Sequence, residues 1–346
     1  MKRLINELLV LATSVLMTIP ATAQKPQGQR QGPQMPQKRT SVLITNDLSG
    51  DVDGMFALAH QLLCKSVDVR GIVGTHLGDM PAWARGKDEG KSVVDIAVDR
   101  ANEMLDLLDM HGQIPVVTGA EKGLEAADKP IESPGARMIV EEARKASPEH
   151  PLYITCGASL TDIASAWLMD HSISKNVIVV WIGGQEYPFG HPFPEQYNTG
   201  RNLVEYNARL DLKAYQTVFN LSDLVLWQIP RDAYRQCLYG MDEIEDKVKP
   251  CGKLGEYLAG KVRRFGSETY VLGDSPMVLI SSLMTTFEPG AASSFYEDTP
   301  APYITDEGLY DFTRPGRKIR VYTRLDTRLL FGDMESKFRN FAAGKE

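Results

Sequence analysis

The run Val42-Leu-Ile-Thr-Asn-Asp-Leu-Ser-Gly-Asp-Val-Asp-Gly-Met-Phe-Ala-Leu58 joins two patterns that together decide the fold. Residues 42–44 form a short apolar run, which is typical of a buried strand. From residue 53 onward the apolar side chains recur at helical spacing. Between the two patterns stands a polar turn that holds three carboxylates. A strand that leads through such a turn into a helix is typical of an α/β protein.

The same alternation of strand and helix is found along the rest of the chain. We predict strands at 69–73, 114–117, 152–155, 177–182, 224–229 and 318–325, and helices at 53–64, 91–110, 134–146, 160–170, 211–220, 242–263, 275–285 and 327–341. This order predicts an α/β fold with a mostly parallel central sheet and helices on both faces. No low-complexity break follows residue 40, so residues 40–346 are predicted to form a single domain.

Composition and missing motifs exclude several functional classes. The 346 residues carry 38 basic and 45 acidic side chains, a net charge of −7, which argues against a protein that coats nucleic-acid phosphates. Four cysteines are too few for a disulfide scaffold in a chain of this length. A disulfide between Cys237 and Cys251 stays open, whereas Cys64 and Cys156 lie in apolar segments typical of reduced core residues. The dinucleotide motif Gly-x-Gly-x-x-Gly and the serine-hydrolase motif Gly-x-Ser-x-Gly are both absent.

The N-terminal segment predicts export. Residues 1–23 combine two basic residues, an apolar run of about a dozen residues and the small-x-small ending Ala-Thr-Ala, which is typical of a cleaved signal peptide. The apolar run is too short for a membrane anchor. Residues 24–39 are rich in glutamine, proline and glycine, and we predict a disordered linker there. The mature protein is therefore expected to be periplasmic or secreted, without membrane attachment.

The turn after the first strand is a candidate cation site. Asp47, Asp51 and Asp53 fall within seven residues, and three carboxylates at one strand-to-helix turn repel one another unless a cation lies among them. Helix capping and the helix dipole explain one or two of these acids. They do not explain Asp47, which follows the strand directly, so we favour a divalent-cation site.

Other candidates for chemistry follow later strands, because ligands of a parallel sheet bind in the crevice beyond the carboxyl ends of the strands. Asp274 precedes Ser-Pro and an apolar helix, where a helix cap is the competing interpretation. Glu205 and Asn207 are two residues apart, and on an extended chain they would point to the same side and bracket a polyol. In the glycine turn that follows 152–155, a main-chain carbonyl near Cys156 is a candidate cation ligand.

Taken in order, these segments resemble the inosine–uridine-preferring nucleoside hydrolase family. Residues 47–58 are similar to a longer variant of the family's opening motif, Asp-x-Gly-x-Asp-Val-Asp-Asp-Ala-x-Ala-Leu. The segment Glu205-Tyr-Asn207, followed by Asp211, resembles the family's Glu-Phe-Asn segment, and Gly-Asp274-Ser-Pro resembles its His-Asp-Pro. The resemblance extends over about residues 40–342, and its specificity comes from the order and spacing of the motifs.

The resemblance implies a nucleoside-hydrolase, Rossmann-like fold and a calcium-dependent hydrolase of N-glycosidic bonds, most often those of ribonucleosides. In the family, one Ca²⁺ takes the ribose hydroxyls and a water, and Asp47 would be the general base on that water. The implied ligands are Asp47, Asp51, Asp53, the carbonyl of Cys156 and Asp274, with Asp51 and Asp53 as alternatives for one position. The implied sugar-binding residues are Asp53, Glu205 and Asn207. The implied partners are a small nucleoside or glycoside and further copies of the chain, in a homodimer or homotetramer.

Three positions depart from the family pattern. Gly54 stands where the family has the second aspartate of a pair, and Asp51 is the candidate replacement. Gly273 replaces the histidine that lies beside the leaving base. The turn at 74–78 lacks the family's Gly-Asn pair, and His76 is a candidate for that polar role in substrate binding. Two alternatives stay open: a non-catalytic ribose- or sugar-binding protein, and a hydrolase of a different glycoside.

Overall fold

The computed structural model describes residues 40–78, 90–188, 204–262, 266–283 and 294–345. The signal peptide at 1–23 and the linker at 24–39 lie outside the described residues and stay predictions. The described residues belong to one compact unit. Within these ranges, no helix combines the length and the hydropathy needed to cross a bilayer.

The described strands form one large sheet and two small ones. In chain order they are β1 (Thr40–Asn46), β2 (Val67–Gly74), β3 (Val116–Thr118), β4 (Leu152–Cys156), β5 (Val177–Ile182), β6 (Val225–Ile229), β7 (Leu238–Gly240), β8 (Thr269–Val271), β9 (Phe295–Pro300), β10 (Tyr303–Ile304), β11 (Tyr310–Asp311) and β12 (Lys318–Arg324). The central sheet has the order β3-β2-β1-β4-β5-β6-β12-β9, and β9 runs antiparallel to β12 at its edge. β7 pairs with β8 and β10 with β11, both antiparallel. The predicted α/β fold with a mostly parallel central sheet is confirmed.

Helices connect these strands, and capping residues set where several begin. They are α1 (Asp53–Leu62), α2 (Val93–Leu107), α3 (Pro134–Lys145), α4 (Thr161–Met169), α5 (Tyr206–Leu210), α6 (Leu212–Gln216), α7 (Arg231–Tyr234), α8 (Met241–Glu243), α9 (Gly252–Lys261), α10 (Pro276–Ser282) and α11 (Thr327–Ala342). Ser92 precedes α2, and its hydroxyl accepts a hydrogen bond from the Asp95 N–H at 3.2 Å. Ser133 caps α3 in the same way, through the Ala136 N–H at 2.9 Å. Each cap satisfies a backbone donor that the helix itself leaves unpaired.

Alternate residues of β1 show that helices cover both faces of the sheet. Leu43 is buried in a cluster that includes Ile139 of α3. Its neighbours Val42 and Ile44 are buried in a second cluster, which includes Phe56 of α1. Because successive strand residues point to opposite faces, the two clusters lie on opposite sides of the sheet. The predicted helices on both faces are confirmed.

The strand order reverses between β1 and β4, and this reversal positions the functional site. The chain proceeds from β1 outward to β2 and β3, and later from β4 outward in the other direction. β1 and β4 are parallel neighbours, with Thr45 opposite Cys156 at their carboxyl ends. In an open parallel sheet, the crevice beyond such a pair is the usual ligand site. The turns that begin at Asp47 and Gly157 both enter this crevice.

The structure divides two helices that the sequence predicts as continuous. The segment at 211–220 is α6 followed by a π-helical turn at Thr217–Leu221, and the segment at 242–263 contains α8, a π-helical turn at Ile244–Val248 and α9. Hydrophobic periodicity does not register such changes of winding over one turn. The sequence also failed to predict α5, α7 and β7 to β11. Most of these elements are too short to establish a period.

The cysteines are all free thiols. Cys64 and Cys156 are buried and unpaired, as predicted. Cys237 packs in the cluster that contains Met277, whereas Cys251 packs in a different cluster with Leu254. The disulfide between Cys237 and Cys251 that the sequence left open is therefore absent from the structure.

Candidate active site

A cavity of about 510 Å³ opens at the carboxyl ends of β1 and β4. Its position is the one expected for a ligand of an open parallel sheet, and its volume is typical of small-molecule sites. Six residues that the sequence marked as candidates line it: Asp47, Asp51, Asp53, Glu205, Asn207 and Asp274. Asp51 is exposed to solvent, whereas the other five are buried or half-buried.

The turn between β1 and α1 brings two acids into the wall of the cavity. Asp47 follows β1 directly, and its carbonyl accepts a hydrogen bond from the Gly50 N–H at 2.7 Å, which closes the turn. Asp53 is the first residue of α1, and its carboxylate accepts from the Gly54 N–H at 3.0 Å. The N–H groups of a helix N-terminus carry partial positive charge, which offsets part of the cost of burying a carboxylate there.

A third acid reaches the same place from a distant part of the chain. Asp274 stands two residues before α10, next to the N-cap residue Ser275, and is only 4% exposed. Its Oδ2 accepts a hydrogen bond from the Asn46 Nδ2 at 2.8 Å. A Cβ atom at Gly157 would lie 2.5 Å from the same carboxylate, so glycine lets the turn after β4 approach it. We refer to Asp47, Asp53 and Asp274 as the cavity acids.

Burial and neighbouring carboxylates raise the pKa of each cavity acid. Burial raises the pKa of Asp47 well above its usual value, and the charge of Asp53 raises it further. Burial also raises the pKa of Asp274, again with Asp53 as the strongest neighbouring charge. Burial and the charge of Asp51 raise the pKa of Asp53 to about 7. Among the described residues, no lysine, arginine or histidine forms an ion pair with a cavity acid.

The donor set fits a hard divalent cation. Carboxylate and amide oxygens are the ligands that Ca²⁺ and Mg²⁺ prefer. Besides the cavity acids, the Oδ1 of Asn46 is buried here and has no hydrogen-bond partner in the described structure. An unpaired buried polar atom costs about 1–3 kcal/mol. A cation among the cavity acids would offset their mutual repulsion, which no described side chain does.

The carbonyl of Cys156, a candidate ligand, borders this region. The Cys156 side chain is fully buried, and the next residue, Gly157, lines the cavity. The N–H of the peptide that joins them donates to the Thr45 carbonyl at 3.1 Å, which fixes the orientation of the peptide. Its role as a cation ligand stays a prediction.

Glu205 and Asn207 line the cavity from a helix and not from an extended chain. The Glu205 carboxylate caps α5 by accepting from the Ala208 N–H at 3.1 Å, and it also accepts from the Gly184 N–H at 3.0 Å. Asn207 lies in the first turn of α5 and donates to the Ile182 carbonyl at 2.9 Å. The prediction of an extended chain is wrong, because the cap at Glu205 starts a helix at the next residue.

Tyr234 and Arg235 line the cavity and escaped the sequence prediction. The Tyr234 hydroxyl donates to Glu205 at 3.0 Å, so this carboxylate accepts from a side chain as well as from two backbone groups. Burial nevertheless raises the pKa of Glu205 above its usual value. Both missed residues lie at the C-terminal end of the short helix α7, which follows β6. The strand-end rule, applied to the predicted strand at 224–229, points to this connection but not to these two residues.

His76 is not part of the cavity wall, and its predicted contact with substrate is not supported. It is only 1% exposed, and its Nδ1 accepts a hydrogen bond from the Gly78 N–H at 3.0 Å. Its Nε2 lies 2.8 Å from the Thr161 Oγ1, which in turn donates to Asp211 at 2.7 Å. Burial lowers the pKa of His76, which agrees with a neutral ring that donates through Nε2. Both ring nitrogens are therefore engaged inside the protein.

Comparison with known proteins places this geometry in a family context. The family model described as "Inosine-uridine preferring nucleoside hydrolase" matches residues 42–291. No curated protein matches the sequence. The matched range includes most of β1, the turn with Asp47 and Asp53, and the later residues Glu205 and Asp274, all of which contribute to the cavity.

Solved structures show the same fold at low sequence identity. The chain is similar to a purine-preferring ribonucleoside hydrolase from Gardnerella vaginalis, with a TM-score of 0.66 and 18% identity over 87% of this chain and 99% of that one. It is similar to a plant nucleoside hydrolase with a TM-score of 0.63 and 16% identity, again over 87% of this chain and 99% of the other. An inosine-uridine preferring nucleoside hydrolase from Bacillus anthracis gives a TM-score of 0.63 and 15% identity over the same shares. At these identities the likeness is one of fold.

Proposed function

Because the chain belongs to the inosine-uridine preferring nucleoside hydrolase family, we propose that it hydrolyses the N-glycosidic bond of ribonucleosides, with Ca²⁺ as its cofactor. Family membership supports N-glycosidic hydrolysis in general. The observation that carries the finer proposal is the convergence of the three cavity acids at the strand-order reversal, in a cavity that Glu205 and Asn207 also line.

The chemistry of the bond matches the charge of this cavity. Cleavage of an N-glycoside develops positive charge on the sugar ring in an oxocarbenium-like transition state. Preorganised carboxylates stabilise such charge most effectively where water is excluded. Asp47 has no paired cation among the described residues, and in its ionised form it would take the proton from the attacking water. Glu205 is held by three donors and would present fixed oxygens to a sugar hydroxyl.

The cavity acids are also the residues that would hold the cofactor. Ca²⁺, when bound, orients vicinal sugar hydroxyls and makes a water easier to deprotonate. A nearby cation favours the ionised form of a carboxylate, so it would lower the raised pKa values of Asp47 and Asp274. Asp51 and the Cys156 carbonyl are the further proposed ligands. The predicted signal peptide supports a periplasmic or secreted enzyme, and the family resemblance a homodimer or homotetramer.

The test is sugar release from a panel of purine and pyrimidine nucleosides and simple glycosides, with calcium and with a chelator. We expect release from nucleosides that the chelator abolishes and added calcium restores. Asp47→Asn should lower turnover by about 10²–10⁴-fold, whereas Asp106→Asn, at an exposed acid away from the cavity, should leave it unchanged. Chelator-resistant release, or full activity of the Asp47 variant, would refute the mechanism.

Two other outcomes of this panel would support the alternatives. No release from any compound, together with calorimetric binding of ribose or a nucleoside, would indicate a sugar-binding protein. Release of sugar only from glycosides that are not nucleosides would indicate a hydrolase of a different glycoside, with an altered pocket for the leaving group. The observation that favours this second alternative is at Gly273, where an added Cβ would lie 3.3 Å from both the Tyr234 ring and Asp53. Tyr234 thus restricts the room for a side chain at residue 273.

A further inference from the structure

We propose that the side-chain oxygen of Asn46 is a ligand of the cation held by the cavity acids, and that residue 54 is glycine because Asn46 occupies the space of its side chain. The inference rests on the proposed function only in assuming that the cavity acids bind a cation. It assigns a role to a residue that no motif pointed to, at the end of β1 beside Asp47.

The first observation is the unequal state of the two ends of the Asn46 amide. Its Nδ2 donates to the Asp274 carboxylate at 2.8 Å, so the nitrogen faces a cavity acid. Its Oδ1 is buried and accepts no hydrogen bond in the described structure. The residue is only 1% exposed, so water does not satisfy the oxygen from the surface. An amide oxygen in this state is costly unless a donor or a cation completes it.

The second observation is steric and concerns Gly54, in the first turn of α1. A Cβ atom built there would lie 2.6 Å from the Asn46 Oδ1 and 3.1 Å from its Cγ. On the other side, a Cβ atom at Gly157 would lie 2.6 Å from the Asn46 Nδ2. The amide is therefore enclosed between two glycines and the Asp274 carboxylate. It has little room to rotate, and its oxygen faces Gly54 in the first turn of α1.

The charge of the site explains why an amide suits this position. The three cavity acids, which are buried or half-buried, already repel one another, and a fourth carboxylate would add to that repulsion when no cation is bound. An amide supplies a hard oxygen ligand without a charge. It also donates to Asp274 through its nitrogen, which favours the ionised form of that carboxylate. A carboxylate at residue 54 would provide a ligand oxygen from α1. Asn46 provides that oxygen from the end of β1 instead.

The test measures cation binding without substrate, by calorimetry with calcium and by terbium luminescence, on the purified chain after treatment with a chelator. We expect Asn46→Ala to weaken binding by about tenfold or more, the range observed when an oriented group at a metal site is removed. Gly54→Ala should weaken binding as well, since its Cβ displaces the amide oxygen. Gly332→Ala is the matched control, because it is also a helical glycine but has no atom within 4 Å of the added Cβ.

The decisive variant exchanges the two positions. Combining Asn46→Ala with Gly54→Asp vacates the space and introduces a carboxylate into it, so affinity should return to within a few-fold of the parent protein. Recovery in the double variant, with loss in both single Asn46→Ala and Gly54→Asp variants, supports the proposal. Unchanged affinity in Asn46→Ala, additive losses in the double variant, or no cation binding by the parent protein would each overturn it. Calcium binding without nucleoside hydrolysis would leave this inference standing and refute only the proposed function.

Discussion

The protein buries acids in two ways, and the difference separates structure from chemistry. Asp211 is 6% exposed and accepts three hydrogen bonds, from the Leu124 N–H at 2.8 Å, the Ala214 N–H at 2.9 Å and the Thr161 hydroxyl at 2.7 Å. The cavity acids are buried or half-buried too, but their carboxylates accept few hydrogen bonds. They also form no ion pair with a described residue. The carboxylate of Asp211 is satisfied by donors of the fold, whereas those of the cavity acids are left for a ligand.

This comparison indicates that the hydrogen-bond donors around a buried acid, and not its residue type, decide whether it has a structural or a chemical role. Asp211 caps α6 and links that helix to the loop at Leu124. Hydrogen bonds to a charged acceptor are stronger than those between neutral groups, so they suit this structural role. The cavity acids instead keep raised pKa values because burial and their neighbours disfavour the charged form. Groups perturbed in this way and gathered in a crevice are typical of functional sites.

Replacing one acid from each group gives the largest expected contrast. Asp47→Asn should lower kcat by about 10²–10⁴-fold, the usual contribution of a general base. The same change should not lower the Tm of the calcium-free protein, because it removes a charge that burial disfavours. Asp211→Asn should lower the free energy of unfolding by about 1–3 kcal/mol through its lost hydrogen bonds, with kcat of the folded fraction retained. Enzyme kinetics and thermal unfolding of both variants test this, and equal losses of kcat would break the distinction.

The pH dependence of stability gives the second contrast. Asp53 has a pKa near 3.8 in the unfolded chain, whereas burial and the charge of Asp51 raise its pKa to about 7 in the folded protein. In chelator, the contribution of Asp53 to the free energy of unfolding should therefore fall as the pH rises from about 4 to about 7. The reason is that the folded state binds more protons than the unfolded state over that range. Calcium at 100 times its dissociation constant should restore about 2.7 kcal/mol at pH 8 and much less at pH 5, where protons compete.

Thermal unfolding between pH 4 and pH 8, with calcium and with chelator, measures this dependence. Asp53→Asn should remove the contribution of Asp53 to the pH slope in chelator, because the neutral side chain does not titrate. Asp106→Asn, at an exposed acid, should not change that slope. Because other carboxylates with lowered pKa values make stability rise over the same range, the test is the difference in slope between the parent protein and Asp53→Asn. Equal slopes in chelator would show that Asp53 does not keep a raised pKa.

Most of the central sheet could be predicted from the sequence because its strands are buried on both faces. β5, for example, is a run of Val177 to Ile182 that is apolar at every position, and its predicted bounds agree with the structure. The edge strand β9 escaped prediction, since its sequence is polar and most of its residues are exposed. The helix at 211–220 was predicted, but its division into α6 and a π-helical turn was not, because one such turn leaves the pattern of apolar residues unchanged.

The site was predictable where its residues stand in a recognised motif. Asp47, Asp53 and Asp274, and the pair Glu205 and Asn207, are such residues, and all five line the cavity. His76 follows β2 but is buried in a hydrogen-bonded network, which no local pattern reveals. The part played by Asn46 depends on the space left by Gly54 and on a carboxylate 228 residues away. Contacts of that range exist only once the chain has folded.

Removing the His76 ring tests whether its network belongs with Asp211 or with the cavity. His76→Ala leaves the Gly78 N–H without its acceptor and the Thr161 hydroxyl without its donor. The free energy of unfolding should fall by about 1–3 kcal/mol, while KM for a nucleoside stays unchanged. Chemical denaturation and initial-rate kinetics measure the two effects, with the exposed His111→Ala as the control. A raised KM without lost stability would return His76 to the substrate-binding residues.

The smallest expected effect concerns the wall of the cavity at Gly273, where the added atom of Gly273→Ala would meet Asp53 and Tyr234 at 3.3 Å. These contacts are tight but not prohibitive, so the protein should fold with a nearly unchanged Tm. Since the new methyl group narrows the cavity without removing a carboxylate, KM should rise by less than about tenfold, or 1.4 kcal/mol, with kcat nearly constant. Steady-state kinetics on a purine and a pyrimidine nucleoside measure this, with Gly332→Ala as the control. A fall in kcat at constant KM would mean that the methyl group disturbs Asp53. The wall at residue 273 would then affect the charge that develops in the transition state, and not the space for the leaving base.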